Sequence, residues 1–296
     1  MALRITKASE PLFVDRINLC IYGAPGIGKT SLGFTAETPL LLDADEGAYR
    51  AANRKDSVVV KKWADMASIQ KSDLDPYSTV IVDTAGRTLD KLSADIIEGN
   101  PKMGRGGALT LQGYGELKSK FSAWMKMLNG LGKDVVLLCH MDEQRRGDDV
   151  IERLDVQGGS KGEIYKSVDA MGKLYIQGQR RLIDFSPREN SYGKNPAQFE
   201  LIEVPNPLTA DFLGGLVREI KAKINSMSQV QKDERDFMEE WQIAINDLNT
   251  VEEFNRLVPE ASKASVGIKM MLHTAATKKG LSYNRSTMAY EEKQRA

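Results

Sequence analysis

Short apolar runs, separated by helical or glycine-rich stretches, mark the part of the chain from Arg16 to Glu203. Two of these runs, 80–82 and 135–138, are apolar at every position. Strands that are apolar on both faces belong in the middle of a sheet that helices cover on each side, and such sheets are largely parallel. The alternation of these runs with helix-length segments therefore predicts an α/β fold with a mostly parallel central sheet. The predicted strands are 17–22, 39–42, 57–62, 79–82, 134–139, 174–177, 182–185 and 198–204, and the predicted helices are 29–36, 89–97 and 115–128.

The pattern breaks at Pro205 and Pro207, because proline interrupts a strand ladder and disfavours helix on its N-terminal side. Beyond this point the apolar residues recur with helical spacing, and Thr250 with Glu253 forms a capping-box pattern. The helical stripes contain Leu213, Leu216, Val217, Ile220 and Ile224, then Phe237, Trp241, Ile245 and Leu248, then Ile268, Met271, Leu272 and Ala275. The sequence therefore predicts a core from 1 to 205, a small all-helical C-terminal region from 206 to 283 and a flexible polar tail from 284 to 296.

Composition and charge exclude several classes of protein. The chain has 296 residues, of which 41% are hydrophobic and 28% charged, as in ordinary soluble globular proteins. Its 41 Lys and Arg balance its 41 Asp and Glu, so any nucleic-acid affinity must come from local patches. Cys20 and Cys139 lie in apolar runs, which predicts buried thiols in a reducing cytoplasm, and only two histidines are present, too few for a zinc cluster. No run approaches the roughly 18 apolar residues of a membrane helix, and the N-terminus lacks a signal-peptide core, so we expect a cytoplasmic protein without a membrane partner.

The strongest motif is G-x-x-x-x-G-K-[ST], which occupies 23–30 between a predicted strand and a predicted helix. Its glycines let backbone N–H groups turn towards a polyphosphate, and the helix N-terminus adds partial positive charge. Lys29 can reach the β- and γ-phosphates, and the Thr30 hydroxyl can ligate Mg²⁺. A chance glycine-rich turn is the alternative, which the strand–loop–helix context disfavours. The predicted nucleotide-binding residues are Gly23, Ala24, Pro25, Gly26, Ile27, Gly28, Lys29, Thr30 and Ser31.

An acidic residue, Asp83, ends the buried strand 79–82, where a carboxylate can orient Mg²⁺ and its waters. A helix cap is the alternative role for an aspartate at this place. The residues from Asp83 to Gly86 also spell the D-x-x-G pattern of small GTPases. Such proteins read guanine with [NT]-K-x-D after a later strand, whereas 139–142 reads Cys-His-Met-Asp. The absence of this guanine-reading pair favours ATP over GTP.

Carboxylates at Asp45 and Glu46 follow the strand after the glycine loop, where either could polarise the water that attacks a γ-phosphate. His140 ends the strand 134–139. In this order of motifs the chain resembles the RecA-like P-loop ATPases, and more narrowly the phage-type members that act in single-strand annealing and recombination. The acidic cluster at 42–47 and the Gly-Tyr-Gly at 113–115 also contribute to the resemblance, which covers about 17–204.

The resemblance implies a RecA-like core that hydrolyses ATP with Mg²⁺, binds single-stranded DNA and is stimulated by it. It implies catalytic roles for Lys29, Asp83 and His140, the last as a γ-phosphate sensor, although a core histidine is the alternative. The water-polarising acid is Glu46 or Asp45, because two alignments compete, and we favour Glu46. The implied partners are single-stranded DNA, further copies of the chain in a ring or filament, and a single-strand DNA-binding protein, in the host cytoplasm for a phage-encoded chain.

Two stretches, 101–107 and 141–162, occupy the places where RecA-like recombinases face single-stranded DNA. Their candidate DNA-binding residues are Lys102, Arg105, Arg145, Arg146, Arg153 and Lys161. Acidic residues are interspersed in the second stretch, so a solvated polar loop is an equal alternative there. Lys194, with Arg180 and Arg181 as competitors, resembles the position from which one subunit reaches the γ-phosphate of its neighbour.

Two other functions stay open at this point. The first is a nucleotide switch or small-molecule kinase that never meets DNA and uses the D-x-x-G pattern as a true switch. The second is a scaffold that binds ATP only to set its oligomeric state.

Overall fold

The computed structural model describes residues 13–146, 149–157 and 159–292. These residues form two compact units, one from Val14 to Ile224 and one that begins at Asn225. No helix in the described ranges is both long enough and apolar enough to cross a membrane.

The first unit is built on a nine-stranded sheet. Its strands are β1 (Asn18–Gly23), β2 (Pro39–Asp43), β3 (Ser57–Val59), β4 (Thr79–Asp83), β7 (Asp134–Arg146), β8 (Asp149–Leu154), β9 (Ala170–Gln177), β10 (Arg180–Asp184) and β11 (Ile202–Val204), and a separate small hairpin contains β5 (Gly104–Arg105) and β6 (Ala108–Leu109). The order is β11-β10-β9-β1-β7-β4-β2-β3, and β8 pairs with β7. The strands from β9 to β3 in this order are parallel, whereas β10, β11 and β8 pair antiparallel. The β1 strand, which precedes the glycine loop, therefore lies inside the parallel part of the sheet.

Helices lie between most of these strands, and α6 follows the last of them. They are α1 (Lys29–Gly33), α2 (Ala64–Ala67), α3 (Ala85–Gly99), α4 (Leu111–Gly130), α5 (Ser160–Ser167) and the first part of α6 (Phe212–Asn246), with short 3₁₀ helices at Ala48–Arg50, Lys71–Leu74 and Pro101–Met103.

The sheet is buried on both faces, as the continuous apolar runs predict. Side chains alternate along a strand, so Cys20 and Tyr22 of β1 pack into one apolar cluster and Leu19 and Ile21 into another. All four are fully buried. The predicted fold class, an α/β core with a mostly parallel sheet followed by helices, is confirmed. Cys20 and Cys139 are buried free thiols, as expected.

The first unit extends further along the chain than the proline-rich break at 205 predicts. Leu213, Val217 and Ile220 of α6 are buried in the same cluster as Leu19. The backbone N–H of Leu213 also donates to Thr35 Oγ1 at 3.0 Å. A helical stripe in the sequence indicates burial, but it does not indicate which core receives it, and this explains the difference.

The segment expected to be a loop at 141–162 is largely ordered secondary structure. β7 continues past the sheet to Arg146, β8 returns along it with Asp142 opposite Arg153, and α5 follows. Consecutive charged and polar residues dominate this hairpin, which makes its strands resemble a polar loop in the sequence. The other expected loop, 101–107, contains a 3₁₀ turn and β5, which pairs with β6 directly after it.

The second unit contains the rest of α6, α7 (Val251–Ala264), α8 (Val266–Lys278) and a hairpin of β12 (Leu281–Asn284) with β13 (Ala289–Glu292). The predicted capping box at Thr250 and Glu253 is present at the start of α7. This unit is not all-helical, and its tail is a hairpin up to Glu292 because Tyr290 is buried against Phe254. Residues 293–296 of the predicted tail lie outside the described residues.

Candidate nucleotide-binding site

The glycine loop links β1 to α1, and its backbone has a shape that side chains at several positions would not allow. A Cβ on Gly23 would lie 2.3 Å from the carbonyl oxygen of Leu174, so the backbone of β9 leaves no room for a side chain. Gly26 and Gly28 have φ angles of +75° and +94°, which L-residues rarely adopt. These positions require glycine for the shape of the loop, independently of any ligand.

Lys29 is the first residue of α1, and its ammonium lies back across the loop. Its Nζ donates to the carbonyl oxygens of Gly23 and Ala24, both at 2.9 Å, and lies 3.2 Å from Nδ1 of His140. Burial lowers the pKa of Lys29, and the nearby carboxylate of Asp83 opposes that shift. The described hydrogen bonds of this ammonium are to neutral groups, so its charge is available to attract an anion in the loop.

Thr30 and Asp83 meet beside this lysine. The Thr30 hydroxyl donates to Oδ2 of Asp83 at 2.6 Å, and Asp83 is 2% exposed at the end of β4. Burial raises the pKa of Asp83 to about 6, the Thr30 hydrogen bond opposes the shift, and the charges of Asp45 and Asp43 add to it. Mg²⁺ binds through one or two carboxylates together with hydroxyl, phosphate and water oxygens. A hydroxyl and a buried carboxylate this close together fit that ion.

The three acidic residues at the end of β2 and just after it, Asp43, Asp45 and Glu46, have different environments. Asp43 accepts the backbone N–H groups of Gly47 and Ala48, both at 2.9 Å, and so fixes the following turn. Asp45 lies between two arginines, with Arg50 and Arg87 nitrogens at 3.5 and 3.4 Å from its carboxylate oxygens.

Glu46, the favoured acid from the sequence, points elsewhere. It pairs with Lys91 Nζ at 3.1 Å, and its side chain is 52% exposed. It is also absent from the residues that line the cleft above the glycine loop.

A cleft of about 680 Å³ brings the predicted residues together. It is lined by Pro25, Gly26, Gly28, Lys29, Thr30, Ser31, Asp45, Gly47, Arg50, Ala51, Asp83, Arg87, His140 and Asp155. A second cavity of about 390 Å³ shares Arg87, His140 and Asp155 with it. The volume of the cleft lies within the usual range of small-molecule sites, and its lining combines cations with carboxylates, which suits a nucleoside triphosphate with a metal ion.

Three charged residues of this cleft, Arg50, Arg87 and Asp155, were missed in the sequence. Arg87 lies in the first turn of α3, directly after the strand that ends in Asp83, and this position could have indicated a role at the site. Asp155 had no such signal, because only the return of β8 brings it to the site, where its N–H donates to the His140 carbonyl at 2.9 Å.

His140 lies at the point where β7 leaves the sheet. In the parallel register it pairs with Gly23, at the base of the glycine loop. Burial and the Lys29 charge lower the pKa of His140, and Asp45 and Asp155 oppose them. A neutral imidazole beside the lysine ammonium is the arrangement that these effects favour.

The candidate DNA-binding residues are spread over two hairpins. Arg105 is exposed in the β5–β6 hairpin, next to Gly106 and Gly107 with φ angles of +61° and +84°, and Lys102 is exposed in the preceding 3₁₀ turn. Arg145 is exposed near the end of β7.

Arg153 and Lys161, two further basic candidates of the stretch 141–162, lie against other parts of the chain. The Arg153 guanidinium lies over the Tyr192 ring, 4.7 Å from its centre, and donates to the Glu152 carbonyl. Lys161 lines the second cavity. The side chain of Arg146 lies outside the described residues.

The three candidates for reaching a neighbouring subunit also differ. Lys194 donates to the Val168 carbonyl at 2.8 Å and lies over the Tyr165 ring. Arg181 lies against the glycine loop of its own chain, since its NH1 is 3.1 Å from where a Cβ of Gly28 would be. Arg180 is exposed, with an ion pair to Glu203 at 3.7 Å.

Two solved structures are similar to this chain. A KaiC-like protein from the archaeon Pyrococcus horikoshii is 11% identical over 71% of this chain and 97% of its own, with a TM-score of 0.39. A prototypical ATPase from the type III secretion system of pathogenic bacteria is 16% identical over 54% of this chain, with a TM-score of 0.35. The chain spans about half of the secretion ATPase, 52% of its length.

No curated protein matches the chain. A family model described as an AAA domain matches residues 15–197, which include the glycine loop, Asp45, Asp83 and His140. This match covers more than half of the 296 residues. The chain therefore belongs to the AAA domain family, and its first unit is a P-loop domain of the ATPase type.

Proposed function

We propose that the chain is a Mg²⁺-dependent ATPase that acts on single-stranded DNA in recombination or annealing. The observation that carries the DNA part is the course of β7. This one strand runs through the centre of the sheet, passes Lys29 at His140 and continues into the exposed hairpin that carries Arg145. A change at the phosphates therefore has a direct covalent route to the exposed arginine of this hairpin.

The nucleotide roles follow from the contacts. Lys29 would bind the β- and γ-phosphates, and Thr30 with Asp83 would hold Mg²⁺, which when bound neutralises charge on the phosphate oxygens. We assign the water-polarising role to Asp45, because it lines the cleft while Glu46 pairs with Lys91 away from it. His140, beside the lysine, would respond to the γ-phosphate.

The DNA contacts are assigned to Arg105 and Arg145, the exposed arginines of the two hairpins. Backbone phosphates bind arginine without base selection, as annealing requires. We also infer assembly of several copies on DNA in a ring or filament. Arg180 supports this inference, because it is the exposed member of the three residues that could reach a neighbour.

Acidic side chains on the same hairpin support a second candidate function. Asp142 and Glu143 would repel DNA, as expected for a nucleotide switch or a kinase that never binds it. The D-x-x-G pattern adds little to this candidate. A Cβ on Gly86 would lie 2.6 Å from the Asp155 carbonyl oxygen, so packing alone accounts for that glycine.

The test is the steady-state rate of ATP hydrolysis with and without single-stranded DNA, with duplex DNA as the matched comparison. Stimulation by the single strand supports the proposal. Turnover that is indifferent to DNA supports the switch or kinase, and nucleotide binding without turnover supports a scaffold. In the same assay Asp45→Asn should abolish turnover while Glu46→Gln retains it, and the reverse result would return the role to Glu46.

A further inference from the structure

We propose that Arg87 is a γ-phosphate-binding residue that the chain supplies from its own helix α3, and that the phosphate competes for it with the carboxylate of Asp45. This inference rests on the proposed ATPase function and names a further catalytic residue for it.

The position of Arg87 is fixed by the strand that carries the metal-binding carboxylate. α3 begins at Ala85, immediately after Asp83 and Thr84. The Thr84 side chain caps the helix, since its Oγ1 accepts the backbone N–H of Arg87 at 3.4 Å. The backbone of Arg87 is therefore held in the first turn of α3, four residues after Asp83, and only its side chain needs to move.

The side chain lies at the junction of the two cavities. Arg87, His140 and Asp155 are shared by the cleft and by the second cavity. His140 is also the residue beside Lys29, 3.2 Å from its ammonium, and that lysine is expected at the β- and γ-phosphates. Arg87 therefore lies at the end of the cleft where the terminal phosphate would be.

The hydrogen bonds of Arg87 show how the exchange would work. Its Nε lies 3.4 Å from Asp45 Oδ1, and its NH1 lies 3.2 Å from Asp90 Oδ2. A guanidinium has five N–H donors in a planar fork that suits phosphate oxygens. The Arg87 side chain is 59% exposed, so it can turn from the carboxylates to a phosphate without breaking a buried contact.

The release of Asp45 is the functional consequence. Paired with Arg87, this carboxylate is directed to the guanidinium rather than to a water. When the γ-phosphate takes up Arg87, Asp45 keeps Arg50 on its other side and regains one oxygen as an acceptor for a water proton. ADP lacks the γ-phosphate and leaves the pair of Asp45 with Arg87 unchanged.

The test compares Arg87→Ala with Lys91→Ala, which removes the other α3 cation paired to this acidic turn, outside the cleft. Binding of Mg²⁺ with AMP-PNP and with ADP is titrated for both variants, and hydrolysis of ATP is followed in a single turnover. For Arg87→Ala we expect AMP-PNP binding to weaken about tenfold or more, with ADP binding changed by less than about twofold. Its hydrolysis rate should fall about a hundredfold. Lys91→Ala should match the wild type, and Arg87→Lys should recover part of the AMP-PNP affinity because it keeps the charge but not the fork.

Equal weakening of AMP-PNP and ADP, or no change in either affinity or rate, would overturn the role of Arg87. Should Arg87→Ala not fold, as judged by circular dichroism, Arg87→Lys provides the same comparison. Failure of the wild-type protein to bind or hydrolyse ATP would overturn the proposed function itself, so the two failures are distinguishable.

Discussion

Replacing Asp83 with asparagine should stabilise the protein in the absence of nucleotide and metal, although it removes a proposed metal ligand. Burial raises the pKa of this carboxyl from its ordinary value of 3.8 to about 6. The charged form is therefore disfavoured in the folded state. Asparagine has nearly the same shape, carries no charge and still accepts the Thr30 hydrogen bond through its Oδ1.

The magnitude follows from linkage between protonation and folding. The raised pKa means that the contribution of Asp83 to stability is complete below pH 3.8 and is lost as the pH rises through about 6. The difference between the two pKa values corresponds to about 3 kcal/mol at neutral pH. Since asparagine retains some polar burial cost, we expect Asp83→Asn to raise the free energy of unfolding at pH 7 by about 1–3 kcal/mol.

The assay is urea unfolding with EDTA at several pH values from 4 to 8, repeated at pH 7 with Mg²⁺ and ATP. Asp43→Asn is the matched control, because Asp43 pairs with Asp83 in the register of β2 and β4. Its carboxylate accepts two backbone N–H groups, and an amide nitrogen there would face a donor, so we expect a loss of about 1–3 kcal/mol.

An Asp83→Asn variant that gained no stability at pH 7 and kept the pH dependence of the wild type would refute the destabilising effect of the buried charge. The proposed role of Asp83 as a metal ligand predicts a loss for the same variant when Mg²⁺ and ATP are present. Stabilisation by Mg²⁺ and ATP should disappear in Asp83→Asn, and its retention would contradict that role.

Three further predictions concern the loop, the boundary and the hairpins. Gly23→Ala should lower the free energy of unfolding by about 1–3 kcal/mol and weaken ATP binding, because its Cβ would meet the Leu174 carbonyl. Equal urea midpoints for this variant and the wild type would count against that contact. A chain that ends at residue 224 should melt cooperatively by circular dichroism, whereas one that ends at 205 should not, because it lacks the α6 residues buried in the core; cooperative melting of both would reject this boundary. When log affinity for single-stranded DNA is plotted against log salt, replacing Arg105 and Arg145 with alanine should make the negative slope less steep by about 1.4. An unaltered slope would exclude these residues as phosphate contacts.

The sequence was sufficient where local pattern determines structure. The apolar strands 80–82 and 135–138 predicted the parallel core, and the glycine loop with Lys29, Thr30 and Asp83 predicted the residues that the fold brings together. The glycine loop depends on a strand, a turn and a helix that are consecutive in the chain, and Asp83 is marked by its own local pattern, an apolar strand that ends in a carboxylate.

The features of the site that could not be predicted from the sequence depend on pairing between strands. Asp155 reaches the cleft only because β8 folds back along β7, and Arg181 contacts its own glycine loop because β10 returns antiparallel beside β9. The choice between Asp45 and Glu46 is of the same kind. Neighbouring residues differ in surroundings because Glu46 adopts a φ of +52° and directs its side chain to Lys91.

The central claim is that the loop after β1 binds the phosphates of ATP through Lys29. Equilibrium titration of wild type, Lys29→Ala and the distant Lys120→Ala with Mg²⁺ and ATP tests it most directly. We predict saturable binding for wild type and Lys120→Ala, and affinity about a hundredfold lower for Lys29→Ala. Equal affinities for wild type and a folded Lys29→Ala variant would contradict the claim.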